Sequence, residues 1–295
     1  MKEFTGVWTA IVTPMTTAGE VDYSSLEKLV ELQVKGGVDG IVAVGTTGES
    51  PTLTTEEHID VIKKIREFAN GRVGVLGGTG SNSTAETLYM TQKCEAFDLD
   101  GYLIVAPYYN KPSQEGVYRH FAEITKVTEK PIMLYSIPGR CGIEISNDTV
   151  MRLRNDFANF VSLKEAGGKV EKVADMFAKA GSKVDILSGD DGLTLDFMKA
   201  GAKGIVSVAS NLVPAMVADM VAAQKAGDSA KANAINAMCA KLFKNLFVEP
   251  NPVPAKYALF KMGMIKSPAV RLPLCEMTAE HQKLLDETLA ELELI

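Results

Sequence analysis

The chain has 295 residues, 46% of them hydrophobic and 23% charged, which is typical of a soluble globular protein that can bury a full core. Its net charge is −6 and its basic residues are scattered, so we exclude a nucleic-acid-binding protein. No apolar run approaches the length of a membrane span, and the N-terminus does not resemble a signal peptide, so we expect a cytoplasmic protein without a membrane partner.

Short apolar runs alternate with amphipathic segments of helical spacing along most of the chain. Parallel strands buried on both faces are apolar throughout, so this alternation predicts an α/β fold of the (β/α)8 TIM barrel type. An open doubly wound sheet has the same local signals and stays the alternative. The clearest helices are Tyr23–Lys35, Thr54–Ala69 and Thr84–Ala96. The predicted strands are Val7–Val12, Gly40–Val44, Val73–Leu76, Tyr102–Ala106, Ile132–Tyr135, Phe160–Lys164, Val184–Leu187 and Gly204–Val208.

The strand signal ends shortly after residue 225. Two further helices are predicted at Asp228–Leu246 and Ala279–Leu292, with a proline-rich connector, Glu249–Pro254, between them. We therefore predict a barrel catalytic domain over residues 1–225 and a C-terminal helical extension over residues 226–295.

Cysteine and histidine spacing argues against a metal site. The four cysteines lie far apart, and the three histidines fall on predicted helices outside any catalytic or metal-binding motif. We expect free thiols in a reducing compartment and histidines at helix surfaces. These residues are Cys94, Cys141, Cys239, Cys275, His58, His120 and His281.

Polar residues follow four of the predicted strands at their C-terminal ends, which converge on one site in a TIM barrel. The second strand runs into Gly45–Ser50, the fourth into Pro107–Pro112 and the fifth into Tyr135–Arg140. The sixth ends on Lys164. We therefore expect these groups to meet at one mouth of the barrel.

Lys164 is a cationic residue at the end of a strand that is otherwise apolar. Burial disfavours the ammonium form, and a neutral lysine is a nucleophile that can form a Schiff base with a carbonyl substrate. Taken alone, the segment is more typical of a lysine whose charged end reaches solvent or an ion pair, because lysines at strand ends are common.

The neighbouring strand ends add groups that suit a type I aldolase. The Gly-Thr-Thr-Gly loop offers amides and hydroxyls for a small carboxylate, Tyr135 offers an acid/base hydroxyl, and Arg140 offers a fork for a second carboxylate. Each has an ordinary alternative: turn residues, a structural tyrosine and a surface ion pair. Gly77–Gly80 lacks the spacing of a phosphate-binding loop, and we interpret it as a tight loop.

Four motifs resemble those of the dihydrodipicolinate synthase family, within the N-acetylneuraminate lyase superfamily: Gly45–Ser50, Tyr109–Pro112, Tyr135–Arg140 and Leu163–Ala166. The resemblance extends from about Gly6 to the C-terminal helices. It implies a cofactor-free lyase of lysine and diaminopimelate biosynthesis that condenses pyruvate with L-aspartate 4-semialdehyde. The fifth-strand motif often has Asn where this chain has Ser136, a change we expect to matter little.

The resemblance also implies residue roles. Lys164 would carry the pyruvate imine, and Tyr135 and Thr47 would form a proton relay with Tyr109 of a neighbouring subunit in a homotetramer, a dimer of dimers. The implied substrate contacts are Thr46 and Thr47 for the pyruvate carboxylate, Arg140 for the semialdehyde carboxylate, and Gly189 and Val206 for the pocket lining.

An L-lysine effector site at a subunit interface is implied as well, although ordinary interface packing is the alternative. Glu86 would pair with the ammonium of lysine, and Asn82 and Tyr108 would contact its carboxylate. Thr55 stands where some lysine-inhibited members have a second histidine. The matching residues are Ser50, Pro51, Leu53, His58, Asn82, Glu86 and Tyr108.

Two rival functions remain. N-acetylneuraminate lyases and 2-keto-3-deoxy sugar acid aldolases share the barrel, lysine and tyrosine, but a polyol substrate does not need the guanidinium of Arg140. A keto-acid sensor without turnover would be free to lose at least one of the residues that this chain retains.

Overall fold

Eight parallel strands close into a barrel in the computed structural model, which describes residues 3–295. The first strand pairs with the eighth, which is possible only in a closed sheet. The barrel prediction is therefore confirmed and the open sheet is excluded. The strands are β1 Gly6–Ala10, β2 Gly40–Ala43, β3 Gly74–Gly78, β4 Gly101–Val105, β5 Ile132–Ser136, β6 Phe160–Glu165, β7 Asp185–Ser188 and β8 Gly204–Ser207.

Helices follow the strands and cover the outside of the barrel. Several begin at a side-chain oxygen that accepts a hydrogen bond from a free backbone amide, as Thr54 does for Glu57 in a capping box. The helices are α1 Tyr23–Lys35, α2 Thr55–Ala69, α3 Thr84–Cys94, α4 Gln114–Ile124, α5 Pro138–Cys141, α6 Asn147–Asp156, α7 Val170–Ala180, α8 Thr194–Lys199, α9 Pro214–Lys225, α10 Ser229–Asn245, α11 Val253–Lys261 and α12 Ala279–Glu291.

The barrel interior holds its own apolar cluster, separate from the larger core between strands and helices. Trp8 on β1 is the largest buried side chain of this cluster, and its ring packs edge to face on the Phe4 ring with their centroids 5.2 Å apart. A Cβ atom at Gly40 on β2 would lie 2.3 Å from the Trp8 ring, so only glycine fits there. Val206 on β8 and Tyr135 on β5 belong to the same interior cluster, which extends to the C-terminal ends of the strands.

The extension contains a helix that the sequence did not predict. Helix α11 begins inside the proline-rich connector, with Pro254 in its first turn. Proline is tolerated there because the amide it lacks would have no intrahelical partner. Helix α10 packs along α9, and α12 packs against α10 and α11. The division between residues 225 and 226 stays a prediction.

Gly77 and Gly78 are part of β3 and not of a tight loop, which corrects the prediction for Gly77–Gly80. A Cβ atom at Gly78 would lie 2.5 Å from the carbonyl oxygen of Val44, so these two backbone segments pass too closely for a side chain. The glycine run therefore serves a close approach of strand ends and not a turn.

Two of the three histidines are buried, although all three lie on helices as predicted. The His58 Nε2 atom lies 2.7 Å from the carbonyl oxygen of Gly78, and the His120 Nδ1 atom lies 2.9 Å from the Thr84 hydroxyl. Both rings lie on the apolar face of their helix, which packs against the core. The surface prediction was wrong for these two residues because the position on the helix, and not the average preference of histidine, decides burial. His281 is partly exposed.

Among the described helices, none is long and apolar enough to cross a membrane.

Candidate active site

Lys164 lies at the C-terminal end of β6, inside the mouth of the barrel, with only 5% of its surface exposed. It pairs across the sheet with Tyr135 on β5, and its Nζ atom lies 4.1 Å from the centre of the Tyr135 ring. The sequence predicted this position, and the structure brings these two residues together at the strand ends.

Burial lowers the pKa of Lys164 to about 7. The negative charge of Asp191 opposes this shift, and the positive charge of Arg140 adds to it. A substantial fraction of the side chain is therefore a neutral amine at neutral pH, which is the form that attacks a carbonyl carbon.

The sequence did not point to Asp191, which is buried after β7. Burial raises the pKa of its carboxyl, while a hydrogen bond from the Ser207 hydroxyl and backbone amide bonds from Val208 and Ala209 lower it. Its position two residues after Gly189, at a strand end, was the available signal.

Tyr135 is also 5% exposed, and burial raises the pKa of its phenol to about 12, against the smaller lowering effects of Arg140 and of the Thr46 hydroxyl. The phenol is therefore protonated at neutral pH and can donate a proton. Thr46 and Tyr135 line one small cavity together with Leu103 and Val105. Thr46, and not Thr47, is thus the hydroxyl beside Tyr135.

Thr47 faces a different partner. Its side chain is buried, and its hydroxyl oxygen accepts a hydrogen bond of 2.9 Å from the Nδ2 atom of Asn251, a residue of the extension. Thr46–Gly48 form one 3₁₀ turn, in which the Glu49 amide donates to the Thr46 carbonyl. The two threonines are thus fixed on different sides of a tight loop.

Gly189 and Val206, which the sequence predicted to line the pocket, are not among the residues that line the cavity of Thr46 and Tyr135. A Cβ atom at Gly189 would lie 2.6 Å from the Cβ of Ala166 and 3.0 Å from the Cε of Lys164. Only glycine therefore lets this backbone segment come so close to the lysine. Val206 is buried in the interior cluster that also contains Tyr135.

Arg140 and Tyr109 lie at the outer rim. Arg140 is exposed on α5, and its Nη2 atom lies 3.5 Å from the carbonyl oxygen of Asn251. Tyr109 is 88% exposed and has a φ of 72°, which only a minority of non-glycine residues adopt. Within one chain its ring is therefore not packed against Tyr135.

A second cavity, of about 180 Å³, lies beside the one that Thr46 and Tyr135 line, and most of the predicted lysine-site residues line it. Asn82 is not in its lining, and its carbonyl accepts a hydrogen bond from Asn110. Glu86 accepts a hydrogen bond from Ser81. The predicted residues that line it are Ser50, Pro51, Leu53, His58, Glu86 and Tyr108, and Thr55 joins them.

The two cavities share a wall, since Ser50 and Gly80 line both of them. Burial lowers the pKa of His58, against the opposing effects of the Gly78 carbonyl and Glu86. A ligand in the second cavity would therefore be separated from the cavity of Thr46 by the wall that Ser50 and Gly80 form.

Comparisons with known proteins agree over nearly the whole chain. The model of the dihydrodipicolinate synthetase (DHDPS) family matches residues 3–292. The 4-hydroxy-tetrahydrodipicolinate synthase of Persephonella marina is 45% identical over 99% of both chains. The chloride-inhibited dihydrodipicolinate synthase from Acinetobacter baumannii, solved in complex with pyruvate, superposes with a TM-score of 0.96 at 42% identity, covering 99% of each chain. DHDPS from Cyanidioschyzon merolae, solved with lysine bound, gives 0.95 at 38% identity over 99% of each chain.

Proposed function

Because the chain belongs to the dihydrodipicolinate synthetase family, we propose that Lys164 forms the pyruvate imine of a 4-hydroxy-tetrahydrodipicolinate synthase. The enzyme is a lyase of lysine biosynthesis that condenses pyruvate with L-aspartate 4-semialdehyde. The single observation that supports this role best is the burial of Lys164 beside Tyr135, with a pKa of about 7. The imine takes the place of a cofactor.

The neutral amine of Lys164 attacks the ketone carbon of pyruvate, and water leaves as the imine forms. Loss of a proton from the methyl carbon gives an enamine, whose carbon attacks the aldehyde of the second substrate and forms the new C–C bond. The amino group of the added semialdehyde then attacks the imine carbon, closes the ring and releases Lys164.

Each of these steps moves a proton, and we assign that work to Tyr135 and Thr46. Their interaction in one cavity supports Thr46 as the relay member in place of Thr47. Thr47 then serves the pyruvate carboxylate. Tyr109 is too exposed to act within its own chain, which supports its entry into the site of a neighbouring subunit in a homotetramer. Four free thiols support a cytoplasmic location.

Direct turnover tests this function. The enzyme is expected to consume pyruvate and L-aspartate 4-semialdehyde and to leave N-acetylneuraminate unchanged. Cleavage of N-acetylneuraminate at a comparable kcat/KM would instead identify a sister aldolase.

Arg140→Ala is expected to raise the KM for L-aspartate 4-semialdehyde by roughly 10- to 100-fold, because a charge-assisted contact to its carboxylate is lost. The KM for pyruvate should change much less, and Arg140→Lys should recover only part of the loss, since lysine lacks the bidentate fork. Steady-state kinetics with each substrate varied in turn measures both values. An unchanged KM for the semialdehyde would remove Arg140 from substrate binding.

We also propose L-lysine as the ligand of the second cavity, where Glu86 offers a carboxylate for its ammonium. Titration calorimetry should record binding heat for lysine, and Glu86→Gln should weaken the affinity by roughly tenfold because a charged hydrogen bond is lost. Glu56→Gln changes an exposed carboxylate outside the lining of the cavity and serves as the control. Absence of heat with the unmodified enzyme would refute lysine binding.

A further inference from the structure

The C-terminal extension reaches the catalytic loop through Asn251, which lies 204 residues away from Thr47 in sequence. The Asn251 side chain is buried, and its Nδ2 atom donates to the Thr47 hydroxyl at 2.9 Å. A hydroxyl that accepts this bond keeps its own proton free to donate elsewhere. The Asn251 Oδ1 atom is buried and has no hydrogen-bond partner among the described residues, so the bond to Thr47 is the polar contact that its side chain makes.

A second contact runs from α11 to the residue that follows the same loop. The Lys256 Nζ atom lies 2.6 Å from the carboxylate of Glu49, and the side chains of both residues are completely buried. The other oxygen of Glu49 accepts the backbone amide of Arg271 at 3.1 Å. Removing two charges from water is costly, and excellent geometry must compensate for it, so this pair holds Glu49 in one position.

Because Glu49 is held in place, the turn that carries Thr46 and Thr47 is held as well. Glu49 has a φ of 56°, in the left-handed region that a glutamate seldom adopts, and its amide closes the turn on the Thr46 carbonyl. The turn that carries both threonines is therefore held from the side of the extension. Arg140, at the rim, also approaches the Asn251 carbonyl.

We propose that Asn251 and Lys256 are positioning residues that shape the Thr46–Gly48 loop for the carboxylate of pyruvate. Asn251 orients the Thr47 hydroxyl as a donor, and Lys256 fixes the loop through Glu49. The proposal rests on the proposed function, because the carboxylate is that of the imine-forming substrate. It makes the extension part of the pyruvate site and not a separable appendage.

Borohydride trapping of the pyruvate imine, followed by intact mass as pyruvate is varied, tests the proposal without the second substrate. Asn251→Ala should raise the half-saturating pyruvate concentration by roughly fivefold to tenfold, the effect of one lost hydrogen bond. In a Thr47→Val background, which has no hydroxyl to orient, the same substitution should add less than about twofold. An equal effect in both backgrounds would show that Asn251 does not act through Thr47.

Lys256→Met should raise the half-saturating concentration by at least roughly tenfold, because Glu49 is left buried without its partner. The Glu49→Gln/Lys256→Gln double variant, which can restore a neutral hydrogen bond, should lie between Lys256→Met and the unmodified enzyme. Lys261→Met is the matched control: Lys261 lies on the same helix and pairs with Asp286, away from the loop. It should leave the half-saturating concentration unchanged.

Circular dichroism and the melting temperature establish which variants are folded. If Lys256→Met does not fold, the Asn251 series and the double variant decide the question. If the Asn251 and Lys256 variants folded and had the same half-saturating pyruvate concentration as the unmodified enzyme, the positioning role would be refuted. The proposed function would not be affected by that result. No trapped adduct in the unmodified enzyme would instead refute the proposed function.

Discussion

Lys164→Ala is expected to abolish the borohydride-trapped pyruvate adduct and to lower kcat/KM by at least roughly 10³-fold. Removing the amine removes the covalent intermediate, because Lys164 is the only lysine of β6. Intact mass spectrometry after reduction measures the adduct directly. A single adduct on the unmodified enzyme, absent from the variant, would establish imine chemistry at Lys164.

The pH dependence of trapping gives the same prediction a second measurement. Because burial lowers the pKa of Lys164 to about 7, the neutral amine becomes the major form as pH rises through 7. The rate of adduct formation should therefore increase with pH up to about 7 and then level off. A lysine with its ordinary pKa of 10.5 would show a rate that still increases at pH 9.

Lys169→Ala is the matched control, because Lys169 is an exposed lysine in the loop just after β6. It should keep both the adduct and its pH profile. If the adduct persisted in Lys164→Ala and disappeared in Lys169→Ala, the nucleophile would be Lys169 and not Lys164. That result would refute the mechanism proposed here.

The barrel could be predicted from the sequence because each strand is a short, nearly continuous apolar run, a local pattern that needs no knowledge of partners. The ends of the strands shifted by at most two residues. The position of Lys164 followed from the same pattern, since a charged residue at the end of such a run is conspicuous. Once the barrel closes, Lys164 is necessarily buried and lies next to Tyr135 on the neighbouring strand.

The contacts of the extension could not be predicted in this way. Asn251 and Lys256 act on residues 204 and 207 positions earlier, and such contacts leave no periodic pattern in either segment. The prolines around Asn251 also concealed the start of α11. Thr46 and Thr47 are identical in chemistry and adjacent in sequence, so only the three-dimensional course of their 3₁₀ turn decides which one meets Tyr135.

Tyr135→Phe is expected to lower kcat by roughly 10²- to 10⁴-fold, the usual contribution of a positioned general acid or base. The substitution removes only the phenolic oxygen and keeps the ring that packs on Lys164, so the pKa and the burial of the lysine should change little. The imine should still be trapped, but more slowly. Presteady-state trapping and steady-state turnover together measure the two effects.

Three further variants separate proton transfer from packing. Tyr102→Phe removes another buried phenol, which donates to Glu95 outside the barrel at the N-terminal end of β4, and it should leave kcat within about twofold. Thr46→Val should lower kcat in the same manner as Tyr135→Phe and add little to it in the double variant, because the two hydroxyls act as one relay. Thr47→Val should chiefly raise the pyruvate requirement. If Thr47→Val reproduced the kcat loss and Thr46→Val did not, the proton path would run through the threonine that Asn251 holds, and the relay would depend on the extension.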